Sequence, residues 1–242
     1  MRSAAPVAEL DALERKRLEQ LAKRVGHEFD DLSLLGRALA HRSWCAETPG
    51  EVSNERLEFL GDAVLGWVVA DLAYGEFDEL PEGLLTDLRK SVVNAVALAQ
   101  VAEEIDLGSH IKLGKGEAAA GGAEKPSILS DAFEAVIAAV YLDAGANAAY
   151  EMVSRLVTPR MSRSIDRLDQ LDHKTQLQEL SAQLGRSAPE YRITSTGPDH
   201  AKSFTALAVV GDEVLGSGSG RSKKAAEQVA AAEACAAIDR PA

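Results

Sequence analysis

The stretch NERLEFLGDAVLGWVV, residues 54–69, decides how the chain is read. It sets Glu55, Glu58 and Asp62 among Leu57, Phe59, Leu60, Val64, Leu65, Trp67, Val68 and Val69. At about 100° per residue, the three carboxylates of a helix here fall within a sector roughly 60° wide. Apolar side chains take almost every other direction, which predicts a helix buried on more than one side. Asn54 suits an N-cap and a first-turn glutamate suits the helix dipole, so Glu55 and Glu58 taken alone have an ordinary reading. Asp62 does not. Two turns in and flanked by apolar residues, it is expected to be buried, and a buried lone carboxylate is costly unless paired, protonated or bound to a metal.

SDAFEAVIAAVY, residues 130–141, offers the counterpart. Asp131 and Glu134 are again three apart at the entry to an apolar run. Two helices that each present carboxylates on one stripe can face one another around a divalent cation. The donors are all oxygen, which suits Mg²⁺ or Mn²⁺ rather than zinc. No Glu-x-x-His occurs, so the pattern of a di-iron bundle is missing. Spacing alone does not identify the substrate.

Around these two stretches the chain changes character once. Residues 1–157 read as an all-α domain, through LERKRLEQLAKRVG ending at Gly26, LSLLGRALAHRSW, the opening helix, LLTDLRKSVVNAVALAQVAEEI and ILSDAFEAVIAAVYLDAG. TPRMSRSIDRLDQLD, residues 158–172, loses the apolar periodicity and reads as a charged linker over 158–171, or as the tail of a helix. Residues 172–240 then read α-β-β-β-α. KTQLQELSAQLG is helical, EYRITSTG and SFTALAVV alternate as strands, and Gly211-Asp212 turns a hairpin into EVLGSGSG. SKKAAEQVAAAEACAAI closes the chain as an alanine-rich helix. One antiparallel sheet with both helices on one face is the economical arrangement, a small α+β domain after the helical one.

Composition narrows the function classes. The 242 residues are 46% apolar, enough for a sizeable core, and the net charge of −12 argues against general adhesion to anionic polymers. The acidity is uneven: Leu171 to Arg240 holds eight basic and nine acidic residues, so nearly all of the excess lies in the first two-thirds. Cys45 and Cys235 form no CxxC pair, as expected of thiols in a reducing compartment. No apolar run is long enough for a membrane span and the N-terminal stretch has no signal-peptide core, so a cytoplasmic location is expected.

Two features of the last domain point to nucleic acid. Thr175, Gln178 and Glu179 lie opposite the leucines of their helix, on a polar face that is either plain solvated surface or a set of donors and acceptors for 2′-hydroxyls in the A-form minor groove. Arg221, Lys223 and Lys224 cluster where a helix begins, with Ser222 as its N-cap. Cations there are unfavourable for the helix and favourable for a bound phosphate. His200, in GPDHAKSF, is by itself an ordinary loop histidine.

NERLEFLGDAVL resembles the signature stretch of bacterial ribonuclease III, and SDAFEAVIAAVY resembles the second acidic motif of that family. HRSW at 41–44 and PEGLLTDLRKSVVN at 81–94 fit the same family in order and spacing, and the last seventy residues resemble its double-stranded RNA-binding domain. The resemblance implies a homodimeric endonuclease that hydrolyses double-stranded RNA with Mg²⁺, leaving 5′-phosphate and 3′-hydroxyl ends with short 3′ overhangs. By position, Glu58, Asp62, Asp131 and Glu134 match the residues that hold the catalytic metal. Glu55 and Glu82 match two further acids at the cleavage site, although Glu82, beside Pro81, also suits a plain helix start. Phe59 matches a position that inserts into the partner subunit. His200 and Lys202 match a second minor-groove contact, and Ala182 stands where many relatives place a polar side chain. Ribosomal RNA precursors, structured mRNA and tRNA precursors are the implied substrates. No membrane partner or organic cofactor is expected. The competing reading is a non-catalytic double-stranded RNA-binding protein, from which loss of part of the acidic set would be expected.

Overall fold

The computed structural model describes residues 11–169, 173–198 and 202–238, which form two compact units dividing after Ile165. In the first unit the helices are α1 (Ala12–Val25), α2 (Leu32–Ala38), α3 (Arg42–Glu47), α4 (Glu55–Glu76), α5 (Glu82–Val93), α6 (Ala95–Glu104), α7 (Lys115–Ala119) and α8 (Pro126–Asp169). Gly26 ends α1 in the left-handed conformation, φ 75°, and its N–H donates to the Ala22 carbonyl. A residue with a Cβ is strained at that φ, which is why a glycine stops the helix there.

The core is built on α8. From Ala132 to Val140 every residue except Glu134 is buried, so this segment is enclosed on all sides. Alanines at 132, 135, 138 and 139 let neighbouring helices come close. Gly145, at φ 85° and ψ −172°, breaks the helical path once. Beyond it the helix resumes and continues to Asp169, through most of the stretch that had lost its apolar periodicity. Met161 is fully buried and Arg160 pairs with Glu104 at 2.7 Å, so the first unit holds the helix to at least that point.

Two stretches that read as single helices are each two. LSLLGRALAHRSW breaks at Leu39–His41, because that backbone pairs with residue 112 rather than with itself. His41 N–H donates to the Lys112 carbonyl at 3.1 Å, and Lys112 N–H donates to the Leu39 carbonyl at 2.8 Å. LLTDLRKSVVNAVALAQVAEEI breaks at Asn94, whose extended backbone ends α5 and whose side chain accepts from Ala97 N–H to start α6.

Helix α4 buries Leu57, Gly61, Val64, Leu65, Val68, Val69, Leu72 and Ala73 on a single stripe. Its opposite side carries Phe59, 81% exposed, with Trp67 and Tyr74 also exposed. The expectation of burial on several sides is therefore corrected: within one chain α4 is covered on one side only. Asn54 is corrected in the same region. It stands at the N-cap position but makes no capping hydrogen bond, and its buried Nδ2 donates instead to the Ala38 carbonyl at 3.1 Å.

The second unit has α9 (His173–Gln183), β1 (Pro189–Thr196), β2 (Ser203–Val210), β3 (Glu213–Gly220) and α10 (Lys223–Ile238). The strands form one antiparallel sheet in the order β1-β2-β3, and Val210 pairs with Glu213 across the Gly211-Asp212 turn. Leu177 of α9, Ala206, Ala208 and Val210 of β2, and the alanines of α10 make its core. The glycines of β3 have a packing reason. A Cβ on Gly216 or Gly218 would lie 2.2 Å or 2.4 Å from backbone atoms of Ala230, so GSGSG and the alanine face of α10 are two halves of one close contact.

Candidate functional site

The acidic cluster forms where α4 crosses α8, and Gly61 makes the crossing. A Cβ on Gly61 would sit 1.8 Å from the Glu134 carbonyl oxygen, so only glycine lets the two backbones meet there. One turn before it on α4 is Glu58, and Asp131 and Glu134 lie on α8 at the contact. A carboxylate oxygen from each of Glu58, Asp131 and Glu134 lies within 4.8 Å of the other two.

These groups are crowded and half-buried, and their acidity records it. Burial pushes the Glu134 carboxyl up to about 8, helped by the charges of Asp62, Asp131 and Glu58. Burial also raises Asp131, against a hydrogen bond from Ser130 that lowers it. Glu58 is raised by burial and then by Asp131 and Glu55. All three carboxyls are raised by burial, and Glu58 and Glu134 also by neighbouring carboxylates, so a divalent cation there would supply positive charge that the protein does not. The oxygen-only donor set suits a hard ion, so the residues present fit Mg²⁺ or Mn²⁺.

Asp62 is the departure. It is exposed, not buried, because it stands one residue past Gly61 and so on the outer side of α4. It acts on Glu134 through space but is not one of the three converging groups. Glu55 lines the adjoining cleft, accepts from Ser53 Oγ at 2.6 Å and lies 3.9 Å from Arg42. Glu82, the first residue of α5, is exposed and accepts from Thr86 Oγ1 at 3.0 Å; it is not among the residues lining the cleft.

The cleft, about 670 Å³, adjoins the cluster and is lined by Glu55, Glu58 and Asp131 together with His41, Arg42, Ser43, Glu117, Lys125 and Ser127. Glu117 and Lys125 pair at 2.5 Å. That pair had no sequence signal, because EAAAGGAEK reads simply as a small-residue loop. His41 to Ser43 lie in HRSW, where the motif marks the segment but not its contacts. Gly61 did carry a signal, a glycine inside a helix next to acids.

In the second unit Thr175, Gln178 and Glu179 are exposed on α9, as are Ala182, Lys202, Arg221, Lys223 and Lys224. Ser222 Oγ accepts from Ala225 N–H at 3.1 Å and so caps α10. Leu184, the last leucine of KTQLQELSAQLG, lies just past the end of α9 and is 55% exposed, so it is not on the inner side with Leu177. Lys174 Nζ sits 2.5 Å from Glu227 and 4.7 Å from the Tyr191 ring centroid, joining α9 to α10 and β1. His200 lies outside the described residues.

A family model described as "Ribonuclease-III-like" matches residues 31–161, and one described as "Double-stranded RNA binding motif" matches residues 173–238. A protein of Streptomyces coelicolor named Ribonuclease 3 is 53% identical over 218 residues, 90% of this chain and 79% of that protein. The chain belongs to the ribonuclease III family. A second Ribonuclease 3, from Mycolicibacterium paratuberculosis, is 49% identical over 91% of this chain and 94% of that relative. Among solved structures, a nuclease domain of ribonuclease III from Campylobacter jejuni matches with a TM-score of 0.56 and 42% identity, covering 60% of this chain and 96% of that one. A further structure of that domain, with a TM-score of 0.55 and 43% identity over 58% of this chain and 95% of that one, is described as flexible in a region involved in dimer formation. The Ribonuclease-III-like match lies in the first unit and contains the acidic cluster, and the double-stranded RNA binding motif matches the second. Among the described residues no helix is long and apolar enough to cross a membrane.

Proposed function

We propose that the chain is a homodimeric, Mg²⁺-dependent endoribonuclease of double-stranded RNA, with Mn²⁺ able to substitute. The observation that carries this reading is the convergence of Glu58, Asp131 and Glu134 beside an open cleft, in a chain whose other unit matches a double-stranded RNA-binding motif. Glu58, Asp131 and Glu134 hold the ion, and Asp62 joins them from the outer side of α4. When bound, the ion polarises phosphoryl oxygens and lowers the pKa of coordinated water. The carboxylates fix its position and leave coordination sites for water and phosphate. Asp62 and Glu134 are the catalytic ligands, and Glu55 and Glu82 act at the cleavage site on the RNA.

In the second unit Thr175, Gln178 and Glu179 contact one minor groove, His200 and Lys202 a second, and Arg221, Lys223 and Lys224 the phosphates between. The bare side of α4 supports the dimer: Phe59 and Trp67 leave a surface that a second copy covers. Each subunit then cuts one strand, leaving 5′-phosphate and 3′-hydroxyl ends with short 3′ overhangs. The reading places the enzyme in the cytoplasm, processing precursors of ribosomal RNA and tRNA and structured mRNA. Residues 1–157 supply catalysis and dimerisation, 158–171 connect, and 172–240 bind duplex RNA.

The test is cleavage of long duplex RNA, single-stranded RNA and duplex DNA, with and without Mg²⁺. The reading predicts cutting of duplex RNA alone, abolished by chelation. Duplex binding without cleavage in Mg²⁺ or Mn²⁺ would favour the non-catalytic alternative.

A further inference from the structure

His41 lines the cleft that Glu58 and Asp131 also line, and its Nδ1 is held by the backbone and the hydroxyl of Ser43. The Ser43 backbone N–H donates to His41 Nδ1 at 3.3 Å, and a backbone amide has no other role to play. Ser43 Oγ lies 2.8 Å from the same nitrogen and itself accepts from the Gly114 N–H at 2.9 Å. The hydroxyl could donate to or accept from Nδ1, so the direction is set by the Ser43 backbone N–H, which can only donate. That contact makes Nδ1 an acceptor and places the ring proton on Nε2. Among the described residues nothing in the protein accepts from Nε2. The ring itself is anchored at the start of α3, and the preceding backbone is pinned by Lys112 and by Asn54 N–H, which donates to the Ala40 carbonyl at 2.9 Å.

The neighbouring cations are differently placed. Lys125 is paired with Glu117 and Arg42 lies near Glu55, so each has an acid beside it inside the cleft. His41 Nε2–H makes no hydrogen bond among the described residues, although Asp131 and Glu117 lie close enough to interact with the ring through space. We propose that His41 donates this hydrogen bond to a non-scissile phosphate of the RNA, next to the cut, and so holds the backbone in register with the carboxylate cluster. A phosphate is favoured over a 2′-hydroxyl because Nε2–H is donor-only and stands beside Arg42 and Lys125. Both cations can share an anionic oxygen with it, even though the cleft also holds Glu55 and Glu117 against them. The inference rests on the ribonuclease reading and adds a substrate contact outside the acidic set.

Side chains that copy one edge of the ring at a time test it. His41→Asn keeps an acceptor near the position of Nδ1, preserving the cap on Ser43, and removes the donor at Nε2. His41→Gln keeps an amide N–H near the position of Nε2. In single-turnover cleavage of duplex RNA with saturating Mg²⁺, His41→Asn is expected to lower kcat/KM about tenfold or more, as for loss of a hydrogen bond to a charged group. Its melting temperature should match wild type, and His41→Gln should recover most of the loss. A methylphosphonate next to the cut should cost the wild type as much as His41→Asn does and cost that variant nothing further. Wild-type rates in His41→Asn, or equal losses in the Asn and Gln variants, would overturn the inference. Non-additivity with a 2′-deoxy substitution instead of the methylphosphonate would overturn the phosphate assignment. A wild-type enzyme that fails to cut duplex RNA would sink the ribonuclease reading itself, a separate outcome.

Discussion

Helices α4 and α8 supply the same kind of side chain from opposite kinds of surface. Around Glu134, α8 is enclosed on every side, while α4 at Glu58 has one packed stripe and one bare one that shows Phe59 and Trp67. A carboxyl on an enclosed helix has its position dictated by the core and loses hydration, which is why Glu134 carries the largest rise in pKa. A carboxyl on a half-covered helix stays closer to water and next to whatever covers the bare stripe. One helix therefore fixes the geometry of the site, and the other sets that site beside an exposed apolar surface, the one the proposed dimer would cover.

The contact between them is the most sensitive point. Gly61→Ala puts a Cβ where the Glu134 carbonyl oxygen already is, so the helices must separate. A loss of about 3 kcal/mol, at the upper end for overpacking, is expected in urea denaturation, together with loss of cleavage. Wild-type stability in this variant would mean that α4 and α8 are further apart than described.

Phe59→Ala should act on the bare stripe alone. Because Phe59 is 81% exposed within the chain, the unit's own stability should change by no more than about 0.5 kcal/mol while the dimer weakens. Analytical ultracentrifugation reads the second effect and denaturation the first. A variant that unfolds rather than dissociates would place Phe59 in the subunit's own core.

These cases also show what the sequence revealed. The α-β-β-β-α unit and both acidic stretches were legible, because periodicity and turn residues are local signals. The burial of Asp62 was misread, since apolar residues in every direction do not say whether the cover comes from the same chain or another. The break at Leu39–His41 was invisible, because its cause is pairing with Lys112, remote in sequence. The single break at Asn94 was missed for the opposite reason, a lone cap inside a long run of good helix formers.

Acid–base behaviour should sharpen the contrast at smaller amplitude. Glu134 is raised from 4.5 to about 8 in the folded chain, so its protonated form is favoured by folding. The resulting stability is fully present below about pH 4.5 and is lost as pH rises through about 8. Without metal, the melting temperature should therefore fall across that window, and saturating Mg²⁺, which binds the ionised cluster, should flatten the fall. Glu134→Gln should remove much of the pH dependence. An unchanged slope in that variant would assign the titration to other groups.

The smallest effect belongs to the second unit. Replacing Lys223 and Lys224 with alanine should weaken duplex binding across all sequences and reduce the salt slope by up to about two. Titrations at several salt concentrations measure it, and an unchanged slope would place the RNA on another face.

The most direct test of the metal centre is Glu134→Gln, which keeps the shape of the half-buried side chain and removes its charge. Cleavage and duplex binding should be measured side by side in saturating Mg²⁺. Turnover is expected to fall by orders of magnitude while binding stays within about twofold, since the RNA-binding surface is untouched. Near wild-type turnover would show that the cluster at the α4–α8 crossing does not hold the catalytic ion.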